Sequence, residues 1–186
     1  MLVLASGSPR RRALLESIGL TLDIRPPDVD ETPRPGEEPV AYARRLSATK
    51  AAGFDGWVIA ADTVVHREGT IWGKPSGPAD AERMLAELSG GVHCVTTGVC
   101  LGKVGEHVVF SETTRVEFRE LSAVEIRTYV ETGEPLDKAG AYGIQGLAAG
   151  FVRQIEGSYT NVVGLPLAQV VEHLGRLGMP GFGGIQ

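Results

Sequence analysis

The sequence predicts an α/β protein built on a mixed sheet with flanking helices, and three stretches carry that expectation. Leu2-Val3-Leu4-Ala5 is a short apolar strand that turns at once into a helix headed by Ser8-Pro9-Arg10. Trp57-Val58-Ile59-Ala60-Ala61 is a continuous apolar run, as found in a strand buried on both faces. Val92 to Leu101 and His107 to Phe118 are long strand-like runs joined around Gly105, the pattern of an antiparallel pair.

At 186 residues and 42% hydrophobic, the chain suffices for one large or two small domains with a proper core. It contains no apolar run of about 18 residues and no signal peptide pattern, so a cytoplasmic protein is expected. A net charge of −5 excludes a global attraction for nucleic acid or acidic membranes. Recognition of a polyanion must therefore be local, which suits a small anionic ligand. Cys94 and Cys100 lie six apart on one strand-like stretch, separated by roughly 20 Å at about 3.3 Å per residue, too far to bridge.

The first helix carries an anomaly. Ser8 is a good N-cap, Pro9 suits the first helical position, Leu14, Leu15 and Ile18 form the apolar stripe, and Gly19 ends the helix. Yet Arg11 stands where a capping box would place Glu, and three arginines in the first turns oppose the helix dipole at about 0.3–1 kcal/mol each. Such a violation points to function: helix-start N–H groups and guanidinium forks together make an anion site. Plain solvation of the arginines is the alternative.

Leu20 to Ile24 alternates like a half-buried strand and stops at Pro26-Pro27, followed by an exposed acidic loop from Asp28 to Glu38. Pro39 opens a helix that runs to Gly53, with Lys50 one turn beyond Leu46. A lysine there also complements the helix dipole, so position alone leaves its role open. The Trp57–Ala61 run delivers Asp62 to its expected C-terminal end, where open α/β sheets gather ligands and an acid costs desolvation unless it meets a metal or a partner. Thr63–His66 and Thr70–Trp72 read as strands joined at Glu68-Gly69, and the second presents Lys74 on a corner.

Ala79 to Leu88 is a helix with Ala81, Met84, Leu85 and Leu88 inward, and Ser122-Ala123-Val124-Glu125 is a capping box opening another. The four histidines show no metal-ligand spacing. Gly133 to Gly146 mixes charge and glycine without periodicity, and Gln145, flanked by Gly143 and Gly146, can offer donor and acceptor to a nucleobase edge or lie in an ordinary glycine loop. Phe151 to Tyr159 reads as a strand. Pro166 opens a last helix whose stripe is Leu167, Val170, Val171, Leu174 and Leu177, and residues 178–186 form a glycine-rich tail expected to be largely disordered unless a neighbour pins it.

Leu4-Ala5-Ser6-Gly7-Ser8-Pro9-Arg10-Arg11, Ala60-Ala61-Asp62-Thr63-Val64-Val65, Gly73-Lys74-Pro75 and Asp137-Lys138-Ala139-Gly140-Ala141-Tyr142-Gly143-Ile144-Gln145-Gly146 occur in the order seen in the Maf family of nucleoside triphosphate pyrophosphatases, which the sequence resembles. Ser89-Gly90, His93, Thr97-Gly98, Gly157-Ser158-Tyr159 and Gly164-Leu165-Pro166-Leu167 extend the likeness from residue 2 to about residue 175. The resemblance implies one domain over residues 1–177, with two lobes around a central cleft as in the inosine triphosphate pyrophosphatase fold. It also implies hydrolysis of a nucleoside triphosphate to monophosphate and pyrophosphate with a divalent metal, Mg²⁺ or Mn²⁺. The Ala141–Gly146 wording is similar to the branch acting on dTTP and UTP.

A triphosphate brings about four negative charges, so cations should converge on it. Arg10, Arg11 and the helix start are expected on the phosphates, with Lys50 and Lys74 completing the clamp, while Arg12 points away. Ser6 and Ser8 form part of the same wall. Asp62 and Glu31 are expected to share two tasks, holding the metal and activating water, in either order. Gln145 or its neighbouring backbone is expected to read the pyrimidine edge. The expected partner is a small nucleotide, with neither nucleic acid nor membrane, and a homodimer is left open. Two other readings stand beside this one: a phosphatase with Asp62 as nucleophile, weakened because Val64 occupies the place of the usual second acid, and a nucleotide-binding regulator of septum formation with little turnover.

Overall fold

The computed structural model describes residues 1–180. Its sheet has the strand order β2-β1-β3-β5-β6-β7, with β4 paired to β3 as a branch. Here β1 is Leu2–Leu4, β2 Leu22–Ile24, β3 Trp57–Arg67, β4 Thr70–Trp72, β5 Val92–Lys103, β6 Glu106–Phe118 and β7 Val152–Glu156. β1 runs parallel to both β2 and β3, and every other pairing is antiparallel. The sheet is thus mixed, as the sequence predicts.

The helices are α1 (Pro9–Ser17), α2 (Pro39–Ala51), α3 (Pro78–Leu88), α4 (Ala123–Glu131), α5 (Tyr159–Val163) and α6 (Leu167–Arg176). Among the described residues no helix is long and apolar enough to cross a membrane. The predicted signals act as expected at several ends. Ser8 caps α1 by accepting from Arg11 N–H, and Ser122 with Glu125 closes a full capping box on α4. Ala81, Met84, Leu85 and Leu88 are the buried residues of α3.

Alternation along β3 divides the interior. Val58 and Ala60 pack with Val3, Ala5 and Ala51, and Val64 packs with Tyr42 and Leu46, so α2 covers this face. Ile59 and Ala61 face the other way, into a core with Leu15 of α1 and Val170 and Leu174 of α6. α2 lies so close to β5 that a Cβ on Gly98 would overlap the backbone of Ala43, which explains a glycine in the middle of this strand. Beyond the α1 and α6 core, α3 and α4 enclose a third cluster with Trp72, Phe118 and Tyr142, where buried His93 shares a 2.8 Å hydrogen bond with the Tyr142 hydroxyl.

Three expectations need correction. Asp62 does not end a strand: β3 runs unbroken from Trp57 to Arg67 because β5 pairs with it from Val58 to His66. What ends near Asp62 is β1, whose register stops at Leu4 opposite Ile59. β4 takes up the same edge only from Val65, so the edge of β3 is bare around Asp62. Next, Phe151 to Tyr159 is not one strand; Phe151 closes a 3-10 turn, β7 spans Val152–Glu156, and Ser158 caps the unpredicted short helix α5. In the last stripe Val170 and Leu174 are fully buried and Leu167 and Leu177 pack partly buried against the same core, so Val171 alone departs from the expected stripe. The start of the tail is pinned by α6, the condition under which order was expected. Gly178 N–H donates to Gly175 O and Met179 N–H to Leu174 O, a Schellman closure that buries Met179 beside Leu174. Residues 181–186 of the predicted tail lie outside the described residues.

Candidate active site

The bare stretch of β3 opens into a cleft of about 640 Å³. All nine site residues expected from the sequence line it: Ser6, Ser8, Arg10 and Arg11 on one wall, Glu31, Lys50 and Asp62 on another, and Lys74 and Gln145 at further corners. Segments far apart in the chain meet there because the parallel β1 stops three residues short of Asp62 in the register of β3. Ligands gather where a sheet loses a strand in this way.

One corner is built by α2 and β3. Asp62 points to the α2 face and is only 8% exposed, and Lys50, 9% exposed, extends from the last turn of α2 to meet it. Lys50 Nζ lies 2.6 Å from Asp62 Oδ1 and 2.6 Å from Glu31 Oε1. Two carboxylates therefore converge on one cationic atom. Partial burial pushes the Glu31 carboxyl up, but the hydrogen bond and charge of Lys50, with Lys74 and Arg11 beyond, outweigh it and hold the group below its ordinary value.

The opposite wall is built by α1. Arg11 donates from Nε to Gly164 O at 2.8 Å, from Nη1 to Ser6 Oγ at 3.0 Å, and from Nη2 to Thr63 Oγ1 at 2.9 Å. It thus ties the turn after α5, the loop after β1, and β3 together using neutral acceptors. Among the described residues it has no carboxylate partner. Burial lowers its pKa, the Asp62 charge works the other way, and a guanidinium stays charged regardless. Three of its five N–H donors are used, leaving one on each terminal nitrogen for an anion.

Ser6 Oγ accepts from both Ser8 N–H and Arg11 Nη1, so its own proton is free to donate into the cleft. Arg10, half-buried, and Lys74, exposed, stand there without an ion-pair partner among the described residues. Arg12, by contrast, turns outward to Glu16 at 2.7 Å, consistent with the expectation that it stays apart.

Several contributors escape sequence reasoning. Tyr42 of α2 donates its hydroxyl to the Glu31 carbonyl at 2.8 Å, and Arg45, one turn on, grips both Glu37 carboxylate oxygens at 2.6 Å and donates to Thr32 O. These bonds pin the acidic loop that carries Glu31. Only the i, i+3 spacing of Tyr42 and Arg45 hinted at a shared face; their partners lie on an irregular segment that periodicity does not place. The Arg45 hydrogen bonds hold the Glu37 carboxyl down to about 2 against an ordinary 4.5. Because the folded pKa is depressed, the grip is fully present above about 4.5 and is lost as pH falls through about 2. A carbon-detected NMR titration of Glu37 should show this low midpoint and its return toward 4.5 in Arg45→Met. A wild-type midpoint near 4.5 would mean that the loop is not held.

A family model described as Maf-like protein matches residues 1–177 of the chain. The chain belongs to the Maf family. Its relatives in this family include a protein of Geobacter sp. (strain M21), 51% identical over 191 residues that cover 97% of each chain. A second, from Anaeromyxobacter sp. (strain Fw109-5), is 50% identical and covers 96% of this chain and 90% of its own. A third, from Chromobacterium violaceum, is 47% identical and covers 94% and 93%. All three are named dTTP/UTP pyrophosphatase. A solved structure, that of a HAM1 protein from Coxiella burnetii, matches 63% of this Maf chain and 72% of its own at 17% identity and a TM-score of 0.44, a likeness too loose to bear on function.

Proposed function

We propose that this Maf-family chain hydrolyses nucleoside triphosphates, with dTTP and UTP preferred, to the monophosphate and pyrophosphate. The observation that carries the reading is the cleft itself. A cationic wall of Arg10, Arg11 and a helix start faces a corner where Asp62 and Glu31 share Lys50. Relatives about half identical in sequence, and covered over nearly their whole length, are named for this activity.

In this reading the triphosphate lies across the cleft. The two free donors of Arg11, the Ser6 hydroxyl and the Arg10 N–H, the one N–H of the first turn of α1 that has no partner in the helix or its cap, take the phosphate oxygens. Water attacks the α-phosphorus, the bond to the bridging oxygen breaks, and one of the two carboxylates accepts the water proton. Arg10, Arg11 and Lys74 meet the charge that develops on the departing pyrophosphate.

A divalent cation suits the same corner. Asp62 and Glu31 already converge on a cationic nitrogen at 2.6 Å each, and hard cations such as Mg²⁺ take one or two carboxylates together with substrate phosphates. Among the described residues no three His, Cys, Asp or Glu side chains cluster, so these two would be the protein's share of the ligands. Such a cation would neutralise phosphate charge and lower the pKa of the attacking water. A nucleotide substrate and two unpaired cysteines also fit a cytoplasmic setting.

The test is a panel of nucleoside triphosphates with Mg²⁺ or Mn²⁺, scored separately for pyrophosphate and phosphate. UTP and dTTP should lead and release one pyrophosphate per monophosphate. Release of free phosphate as first product would favour the phosphatase reading.

A further inference from the structure

The segment from Glu134 to Leu147 carries Gln145 to the cleft without any regular strand or α-helix, and what shapes it is a single carboxylate. Glu134 Oε1 accepts from the Tyr129 hydroxyl at 3.0 Å, and Glu134 Oε2 accepts from Leu147 N–H at 3.2 Å. The Tyr129 hydroxyl in turn accepts from Gly143 N–H at 3.3 Å. Glu134 thus reaches both ends of the Gly143–Leu147 loop, directly at one end and through Tyr129 at the other. Lys138 Nζ adds a third tie by donating to Glu134 O at 2.6 Å.

The glycines record how tightly the loop wraps. A Cβ on Gly146 would overlap the Glu134 carboxylate, and one on Gly143 would come within 2.8 Å of Lys138 Cε. Neither glycine has a left-handed φ, so close approach rather than backbone conformation demands them. Tyr129 is buried on α4 and anchored in the Phe118–Phe151 core, which gives the carboxylate a rigid reference.

We propose that Glu134 is the positioning residue for base selection, fixing the Gly143–Leu147 loop so that Gln145 and its neighbouring backbone meet the pyrimidine edge. This rests on the reading that the loop faces the base. The chemistry asks for a carboxylate in particular. Both oxygens accept from N–H or O–H donors, and an amide has only one acceptor oxygen, so Glu134→Gln must either face Leu147 N–H with its NH₂ or force the Tyr129 hydroxyl to turn from donor to acceptor, which breaks the present network in either case. Glu134 does not touch the phosphate wall, so its loss should act on the choice of base rather than on the chemical step.

The experiment compares wild type, Glu134→Gln, Tyr129→Phe, their double variant and Gln145→Ala on UTP, dTTP and CTP, with kcat and KM separated. Glu134→Gln should lower the preference for UTP over CTP by about tenfold, almost wholly through the KM for UTP. Tyr129→Phe should shift the same ratio by less, and the double variant should fall short of the product of the two effects, because they act on one network. An unchanged ratio in both single variants, or an equal loss of kcat on all three substrates, overturns the proposal. If Glu134→Gln does not fold, Tyr129→Phe alone decides. A ratio altered by Gln145→Ala but by neither network variant overturns the role of Glu134 and keeps the base-reading loop. The reverse pattern keeps Glu134 and shows that backbone groups rather than Gln145 read the base.

Discussion

Asp62→Asn is expected to cut pyrophosphate release by about 10³-fold or more while leaving the fold intact, the range seen when a group that acts on the reacting centre is removed. Asparagine has the same shape, so β3 keeps its pairing with β5 opposite Gly98. Lys50 keeps Glu31 as a partner at 2.6 Å, which limits the cost of removing one buried charge. What the variant loses is one of the two carboxylates proposed to hold the cation and the water. Pyrophosphate release in the steady state, beside an amide NMR spectrum, measures both halves. Turnover near wild type would remove Asp62 from the chemistry.

Arg11→Lys should be the second most damaging change despite keeping the charge. A guanidinium reaches Ser6, Thr63 and Gly164 in three directions at once, and an ammonium on a linear stem does not reproduce that fork. Hydrogen bonds from a charged donor contribute about 1.5–3 kcal/mol each, so the variant should melt several degrees lower. It should also lose about 10²–10³ in kcat/KM, because the two donors left free in the wild type are lost as an oriented pair. A fall in melting temperature with unchanged kcat and KM would reduce Arg11 to a structural tie.

The arginine-headed start of α1 and the capping signals were legible because local sequence encodes them. Ser8, Pro9 and Gly19 mark α1, and the dipole conflict of Arg11 marks an anion site in the sequence alone. The place of Asp62 was legible as a functional position but for a partly mistaken reason. Its strand does not end there; the neighbouring β1 does, and strand length across a sheet is set by long-range pairing that a local run of residues does not reveal. α5 escaped because five residues give no helical periodicity, although Ser158 is a proper cap. Arg45 with Glu37, and Tyr129 with Glu134, escaped because each joins a helix to an irregular segment, where spacing carries no geometric meaning. The acidic loop illustrates the difference: composition gives its exposure, but not that Tyr42 and Arg45 fasten it against α2 and bring Glu31 to Lys50.

The position of bond cleavage tests the account most directly. UTP turned over by the wild-type protein in ¹⁸O-labelled water, with Mg²⁺ present, should give UMP carrying one labelled oxygen and pyrophosphate carrying none. Label in pyrophosphate or in free phosphate would place the attack away from the α-phosphorus and contradict the arrangement of the cleft proposed for Arg11, Asp62, Glu31 and Lys50.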